Sequence, residues 1–193
     1  MESFYTVQGE GFHSGKAAYF IRTAGCDVGC VWCDVKESWP SEGYPSVSAH
    51  EIASRTEEHP AETVVITGGE PCMYDLTELC NALHERGKNV HLETSAAYEI
   101  KGDFDWICVS PKKFKAPLQS ELKKAHELKV IGFNKSDLDF ALSFESEVSS
   151  DCKLYIQPEW SRRDRMAQPI SEFVKSHPRW MVSVQSHKYL NIP

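Results

Sequence analysis

The sequence predicts an α/β protein, specifically a shortened, open (β/α)6-type partial barrel. Three observations carry this. Short apolar, β-branched runs alternate with helical patterns, which argues for a parallel sheet covered by helices. The distinctive polar motifs fall at the C-terminal ends of the predicted strands, the edge on which parallel α/β sheets build their sites. The chain has 193 residues, whereas a complete eight-unit barrel needs about 250.

Each element has its own signal. Ala17 to Thr23 (AAYFIRT) reads as a strand. Ser48 to His59 reads as a helix, opened by a capping box in which Glu51 follows Ser48 by three residues. Thr63 to Thr67 (TVVIT) is a β-branched run stopped by Gly68-Gly69 and reads as a buried strand. A helix beginning near Asp75 carries Leu76, Leu79, Cys80 and Leu83 on one face and ends at Gly87. Asn89 to Thr94 and Trp106 to Ser110 are strands, the second stopped by Pro111. Glu127 to Ile131 is a strand and Leu138 to Phe144 a helix. Lys153 to Gln157 is a strand stopped by Pro158. Pro169 to Ser176 reads as a helix with Pro169 in its first turn, and Trp180 to Val184 as the last strand. No repeat or linker divides the chain, so residues 1–193 are expected to form one domain.

Composition narrows the function. Hydrophobic residues are 41% and charged residues 25%, as in ordinary globular proteins. The net charge of −7 disfavours nucleic acid as a main partner. No apolar run approaches the roughly 20 residues of a membrane span, and the N-terminus shows no signal-peptide pattern. Seven cysteines, an odd number, favour a reducing, cytoplasmic setting over a disulfide framework. Cys72, Cys80, Cys108 and Cys152 are scattered and read as small packing residues.

The other three cysteines are clustered. Cys26, Cys30 and Cys33 give the spacing C-x3-C-x2-C directly after a predicted strand. Three thiolates suit an iron–sulfur cluster or zinc. A structural zinc site wants a fourth ligand, and neither His13 nor Asp34 makes a familiar spacing for one. A fully ligated cluster wants four cysteines, so three leave one iron open to a non-protein ligand. The second motif is Thr67-Gly68-Gly69-Glu70-Pro71. Its glycines permit close backbone approach, and its carboxylate is an acceptor for an ammonium.

The cysteine motif, with Trp32 before the last cysteine, and the GGE motif resemble the radical S-adenosylmethionine superfamily. In that superfamily the open iron chelates the cosubstrate, whose reductive cleavage yields a 5′-deoxyadenosyl radical. Further features resemble the 7-carboxy-7-deazaguanine synthase family from about Tyr5 onward: Tyr5 to Gly11 (YTVQGEG), Phe20-Ile21-Arg22, Val109 to Lys112 (VSPK), Ile156-Gln157-Pro158 and the terminal Pro193. The resemblance implies a homodimer on a shortened TIM-type barrel. It implies conversion of 6-carboxy-5,6,7,8-tetrahydropterin to 7-carboxy-7-deazaguanine and ammonia, on the way to queuosine. A flavodoxin- or ferredoxin-type protein would be the reductant.

Residue by residue, the resemblance makes Cys26, Cys30 and Cys33 the ligands of a [4Fe-4S] cluster. Trp32, Cys33 and Asp34 would lie against S-adenosylmethionine, with Gly69 and Glu70 taking its amino group. Ser110, Pro111 and Lys112, with Gln157, Pro158 and Glu159, would complete that pocket, and Glu93 and Thr94 would touch the ribose or methionyl part. Val7, Gln8, Gly9 and Glu10 would hold the pterin. Arg22 would meet its carboxylate, Thr67 would lie close, and the Pro193 carboxylate would receive its amino-pyrimidinone edge. Among the histidines, His187 is the one placed to reach a substrate.

Two positions depart from the family pattern. The family commonly has fourteen residues between its first two cysteines, where this chain has three. It also carries a threonine that binds Mg2+ two residues after the last cysteine, where this chain has Val35. An isopropyl group cannot ligate a hard cation. Weak magnesium dependence is therefore expected, with Lys36 supplying the charge. Two other readings compete. A glycyl-radical activase shares the cysteine and GGE motifs but not QGEG or the terminal proline. A non-catalytic zinc or iron–sulfur module leaves GGEP, SPK and IQP without a role.

Overall fold

The computed structural model describes residues 1–193. Eight strands form one sheet in consecutive order. β1 (Glu2–Val7) runs antiparallel to β2 (Ala17–Thr23), with Tyr5 opposite Tyr19. From β2 onward every pairing is parallel: β3 (Thr63–Gly68), β4 (Asn89–Thr94), β5 (Trp106–Val109), β6 (Glu127–Gly132), β7 (Lys153–Pro158) and β8 (Trp180–Val182). Six crossovers join the parallel strands, and β1 and β8 are the two ends of an open sheet, as the sequence predicts. Five crossovers carry a helix: α1 (Ala49–Arg55), α2 (Thr77–His84), α3 (Gln119–Leu122), α4 (Ser136–Leu142) and α5 (Arg163–Ser176). The β4–β5 crossover carries none, and α6 (Ser186–Leu190) follows β8.

Strand alternation separates two environments. Val64, Ile66, Val90, Leu92, Leu128, Val130, Leu154 and Ile156 face the helices and join one apolar core with Leu83, Met166, Ile170 and Trp180. The alternate residues face the concave side: Arg22, Thr67, Glu93, Lys129 and Gln157 line a cavity there. One face of each strand therefore stabilises the fold while the other carries polar chemistry.

Several boundaries differ from the sequence reading. The Ser48 hydroxyl accepts from Glu51 N–H at 3.2 Å as a cap should, but the Glu51 carboxylate turns to Arg55 at 2.8 Å and does not complete the box. The helix then tightens into a 3-10 turn over Thr56–Glu58. Asp75 lies before α2 and accepts from Thr77 N–H at 3.0 Å. Pro169 is not in a first turn: α5 begins at Arg163, and Pro169 sits inside it. Burial of Met166, Ile170 and Phe173 on one face holds the helix together across the proline. β1, α3 and α6 were not anticipated; α3 and α6 are too short to show periodicity, and the β1 sequence reads as a binding motif.

Candidate active site

The cysteine loop leaves β2 and folds against the start of the GGE segment. Gly69 N–H donates to Thr23 O at 3.1 Å and Glu70 N–H to Gly25 O at 2.8 Å. No side chain fits between them: a Cβ on Gly69 would lie 2.3 Å from Gly25 O and 2.9 Å from Cys26 Cβ. The two motifs are thus locked together at the C-terminal ends of β2 and β3. Cys26, Cys30 and Cys33 are all free thiols and all line the same cavity of about 300 Å3. A structural zinc site takes four protein ligands, whereas three thiolates fit a cluster that keeps one iron open to a non-protein ligand, so this donor set suits a cluster better than zinc. Burial pushes the Cys30 thiol up to about 11, against the opposing charge of Lys112. Lys112 itself donates to Ser110 O and Oγ at 2.5 and 2.6 Å, and its ammonium lies 5.8 Å from the Trp32 ring.

Glu70 is 1% exposed, and its carboxylate is saturated. Cys72 N–H and the Thr94 hydroxyl donate to Oε1 at 3.0 and 2.5 Å. Ser95 N–H donates to Oε2 at 2.8 Å, joined by the Ser95 hydroxyl. Four donors fill the acceptor sites of a carboxylate. The side chain therefore ties β3 to the end of β4, and the glycine backbone of the motif is left to meet a ligand.

Deeper in the cavity is a charged triad. Lys129, 4% exposed in the middle of β6, reaches Glu10 at 2.8 Å and Glu93 at 3.0 Å. Burial alone would raise the Glu10 carboxyl, but the Lys129 charge and hydrogen bonds from Lys129, Gln185 and Gln157 hold it down to about 2. Lys129 is in turn held well above the ordinary lysine range by Glu10 and Glu93, despite burial. Gln8 donates to the other Glu93 oxygen at 3.3 Å. Below the triad, burial raises Glu127 to about 6. Arg22 is tethered through Nε to Glu2 at 2.7 Å, leaving its terminal nitrogens for the cavity it lines.

The open side of the barrel is strapped by the two ends of the fold. Ser186 N–H and hydroxyl donate to Gly9 O at 2.9 and 3.0 Å, Gln185 to Glu10 at 2.9 Å, and Gly11 N–H to Ser183 Oγ at 2.9 Å. His187 packs on Gly9, where a Cβ would meet its Nδ1 at 2.1 Å. Lys188 grips Asp34 at 2.7 Å. Thr6 Oγ1 donates to Pro193 O at 3.1 Å.

Most of the residues singled out from sequence converge on this cavity. Its wall includes Val7, Gln8, Gly9, Glu10, Arg22, Thr67 and Pro193, together with Trp32, Asp34, Gly69, Glu70, Glu93, Thr94, Ser110, Lys112, Gln157 and Glu159. Pro111 lines a neighbouring groove instead, and Pro158 lines neither. Lys36 does not supply charge to the cavity: its ammonium lies 5.8 Å from the Trp39 ring and it is not in the wall, because the 3-10 turn over Lys36–Ser38 directs it outward. Val35 does line the cavity. Sequence reasoning missed Lys129, Gln185, Trp160 and Lys188. Only Lys129 left a signal, as a lysine followed by Val130 and Ile131 at an inward position of a buried strand.

Residues 20–105 match the model of the radical SAM superfamily. Over 193 residues the chain is 49% identical to the 7-carboxy-7-deazaguanine synthase of Flavobacterium psychrophilum, covering 100% of this chain and 91% of the relative. It is 43% identical to the Synechocystis enzyme of the same name, covering 99% and 91%. The crystal structure of QueE from Escherichia coli superposes with a TM-score of 0.84 at 30% identity, covering 96% of this chain and 92% of that one.

Proposed function

Because the chain belongs to the 7-carboxy-7-deazaguanine synthase family of the radical SAM superfamily, we propose that its cavity contracts the ring of 6-carboxy-5,6,7,8-tetrahydropterin to give 7-carboxy-7-deazaguanine and ammonia. One observation supports this most strongly. Three free thiols and the QGE segment share a single cavity, divided only by the GGE turn and the Lys129 triad. When bound, a [4Fe-4S] cluster and S-adenosylmethionine supply the hydrogen-abstracting radical.

The chain's residues do the rest. Cys26, Cys30 and Cys33 hold the cluster, and Lys112 offsets part of its negative charge. The backbone at Gly69 and Glu70 takes the cosubstrate amino group, with the Glu70 side chain fixing that backbone. Trp32, Asp34, Ser110, Gln157 and Glu159 frame the cosubstrate, and Thr94 closes the wall. Glu10 accepts from the pterin edge and the Gln8 amide both donates and accepts there, with Val7, Gly9, Thr67 and Pro193 shaping its slot. Arg22 offers its free guanidinium nitrogens to the substrate carboxylate, the bidentate match such a group favours. Lys129 is a positioning residue, because it holds Glu10 ionised and anchors the Glu93 side chain at 3.0 Å. Lys188, already on Asp34, supplies positive charge beside Val35, which stands where the family pattern has its magnesium-binding threonine. The reading includes a flavodoxin- or ferredoxin-type reductant, a homodimer and a cytoplasmic setting.

The deciding experiment is anaerobic. Reconstituted protein, dithionite, S-adenosylmethionine and the carboxytetrahydropterin are expected to yield the deazaguanine product, identified by mass. Cosubstrate cleavage without that product would overturn the substrate assignment.

A further inference from the structure

Ser183 directly follows β8, and it is the one inward residue of its stretch. Val182 and Val184 on either side are 46% and 48% exposed, whereas Ser183 is 3% exposed. Its N–H donates to Ile156 O at 3.0 Å, which fixes its register beside β7. Its hydroxyl joins two groups from opposite ends of the chain. It accepts from Gly11 N–H at 2.9 Å and donates to Gln157 Oε1 at 2.6 Å. A backbone N–H only donates, so the single hydroxyl proton is left for the glutamine, and only the amide oxygen can take it. Were the amide turned over, that buried proton would have no acceptor, a costly state. The Gln157 side chain, 2% exposed, is thereby held with its NH2 group as the atom it offers Glu10, since an ionised carboxylate only accepts.

We propose that Ser183 is a positioning residue for the pterin subsite, acting on Glu10 through the orientation of the Gln157 amide. A carboxylate has about four acceptor sites. On Glu70 four donors fill them all. On Glu10 the partners are Lys129 at 2.8 Å, Gln185 at 2.9 Å and Gln157, so one site stays open for a donor from the substrate. Without the Ser183 hydroxyl the amide is free to turn, and its oxygen would then oppose the Glu10 carboxylate. The open acceptor site would be displaced, and Gly11, the next residue, would lose the anchor of its N–H. None of these bonds reaches the three cysteines or the GGE turn, so the effect belongs to the pterin and not to the cosubstrate. The inference rests on the proposed function for the identity of the ligand at Glu10.

The test compares cluster-loaded wild type with Ser183→Ala, Gln157→Met and the double variant. Ser183→Ala is expected to raise KM for the carboxytetrahydropterin about tenfold while kcat stays within about threefold. Its iron content, and its dithionite-driven cleavage of S-adenosylmethionine without pterin, should match wild type. In the Gln157→Met background Ser183→Ala should add no more than about threefold to KM, because the group it acts through is already gone. An unchanged KM in Ser183→Ala would overturn the proposal. So would a parallel fall in kcat and in pterin-free cleavage, which would make Ser183 a structural residue only, or a full second tenfold in the double variant. A readout without substrate separates this inference from the reading it rests on. The side-chain NH2 signals of Gln157, identified by their loss in Gln157→Met, should exchange with solvent about tenfold faster in Ser183→Ala. Absence of the deazaguanine product from wild type would count against the proposed function, while equal exchange in both proteins would still refute the hold of Ser183 on Gln157.

Discussion

Glu10 and Glu127 lie in the same lumen and are shifted in opposite directions, which gives stability a two-sided pH dependence. Glu10 is held down to about 2 from 4.5, so its contribution is complete above 4.5 and is lost as pH falls toward 2. That loss is on the order of 3 kcal/mol. Glu127 is raised to about 6, so the folded state binds its proton first. This group alone therefore adds on the order of 1–2 kcal/mol as pH falls from 6 to 4.5. Burial holds His91 down to about 4, so its protonation opposes that gain over the same range. The Glu127 contribution is read as the difference between wild type and Glu127→Gln in urea titrations between pH 6 and 4.5, with the acid loss below 4.5 kept in both. Lys129→Met would leave Glu10 and Glu93 buried and unpaired, a cost of about 3–5 kcal/mol by urea unfolding. Lys188 is tested by magnesium titration. Wild type is expected to respond weakly, and Lys188→Ala to lose roughly 30-fold in kcat/KM, about 2 kcal/mol of binding to an anionic group. Strong magnesium stimulation of wild type with little effect of the substitution would return the role to the metal.

At the scale of elements, α5 contains the main internal conflict. Pro169 removes one backbone hydrogen bond and crowds the preceding turn, yet the helix continues because Met166, Ile170 and Phe173 are buried on one side of it. Pro169→Ala should therefore stabilise the protein by about 1–3 kcal/mol, measured by thermal or urea unfolding. The same helix shows what the sequence could not reveal. A proline is a strong local stop signal, and only the tertiary burial of its neighbours overrides it. The parallel strands were legible for the opposite reason: a β-branched run ending in Gly-Gly or Pro carries its own boundary. The cysteine loop and the GGE turn were legible because spacing alone defines them. Lys188 and Gln185 were not, since an exposed lysine and an exposed glutamine look alike until α6 is folded over the cavity. Glu70 was found, but its donors were not, because three of the four come from Thr94 and Ser95 at the end of the next strand, distant in sequence from Glu70.

For the molecule as a whole, the open sheet becomes a closed site only where residues 8–11 meet residues 183–188. Gly9→Ala tests that closure. Its Cβ would collide with His187, so α6 should lift away while the apolar core, which lies on the other side of the sheet, stays intact. Opening made easier by about 1.4 kcal/mol would expose the Lys188–Tyr189 bond tenfold more often. Trypsin cleavage after Lys188 should accelerate accordingly, with far-ultraviolet circular dichroism unchanged. Unchanged cleavage would show that the strap does not depend on the close approach at Gly9.

That strap also has a consequence for the order of synthesis. A ribosome delivers Cys26, Cys30 and Cys33 more than 150 residues before it delivers Gln185, His187 and Lys188. During that interval a nascent chain can assemble the β2 loop and most of the sheet before Lys188 is available to hold Asp34, the neighbour of Cys33. The approach to the three sulfurs is then wider than it is after the last segment is laid down. In the finished protein that approach runs past the Lys188–Asp34 contact, so the variant that loosens the strap should also take up iron faster after purification.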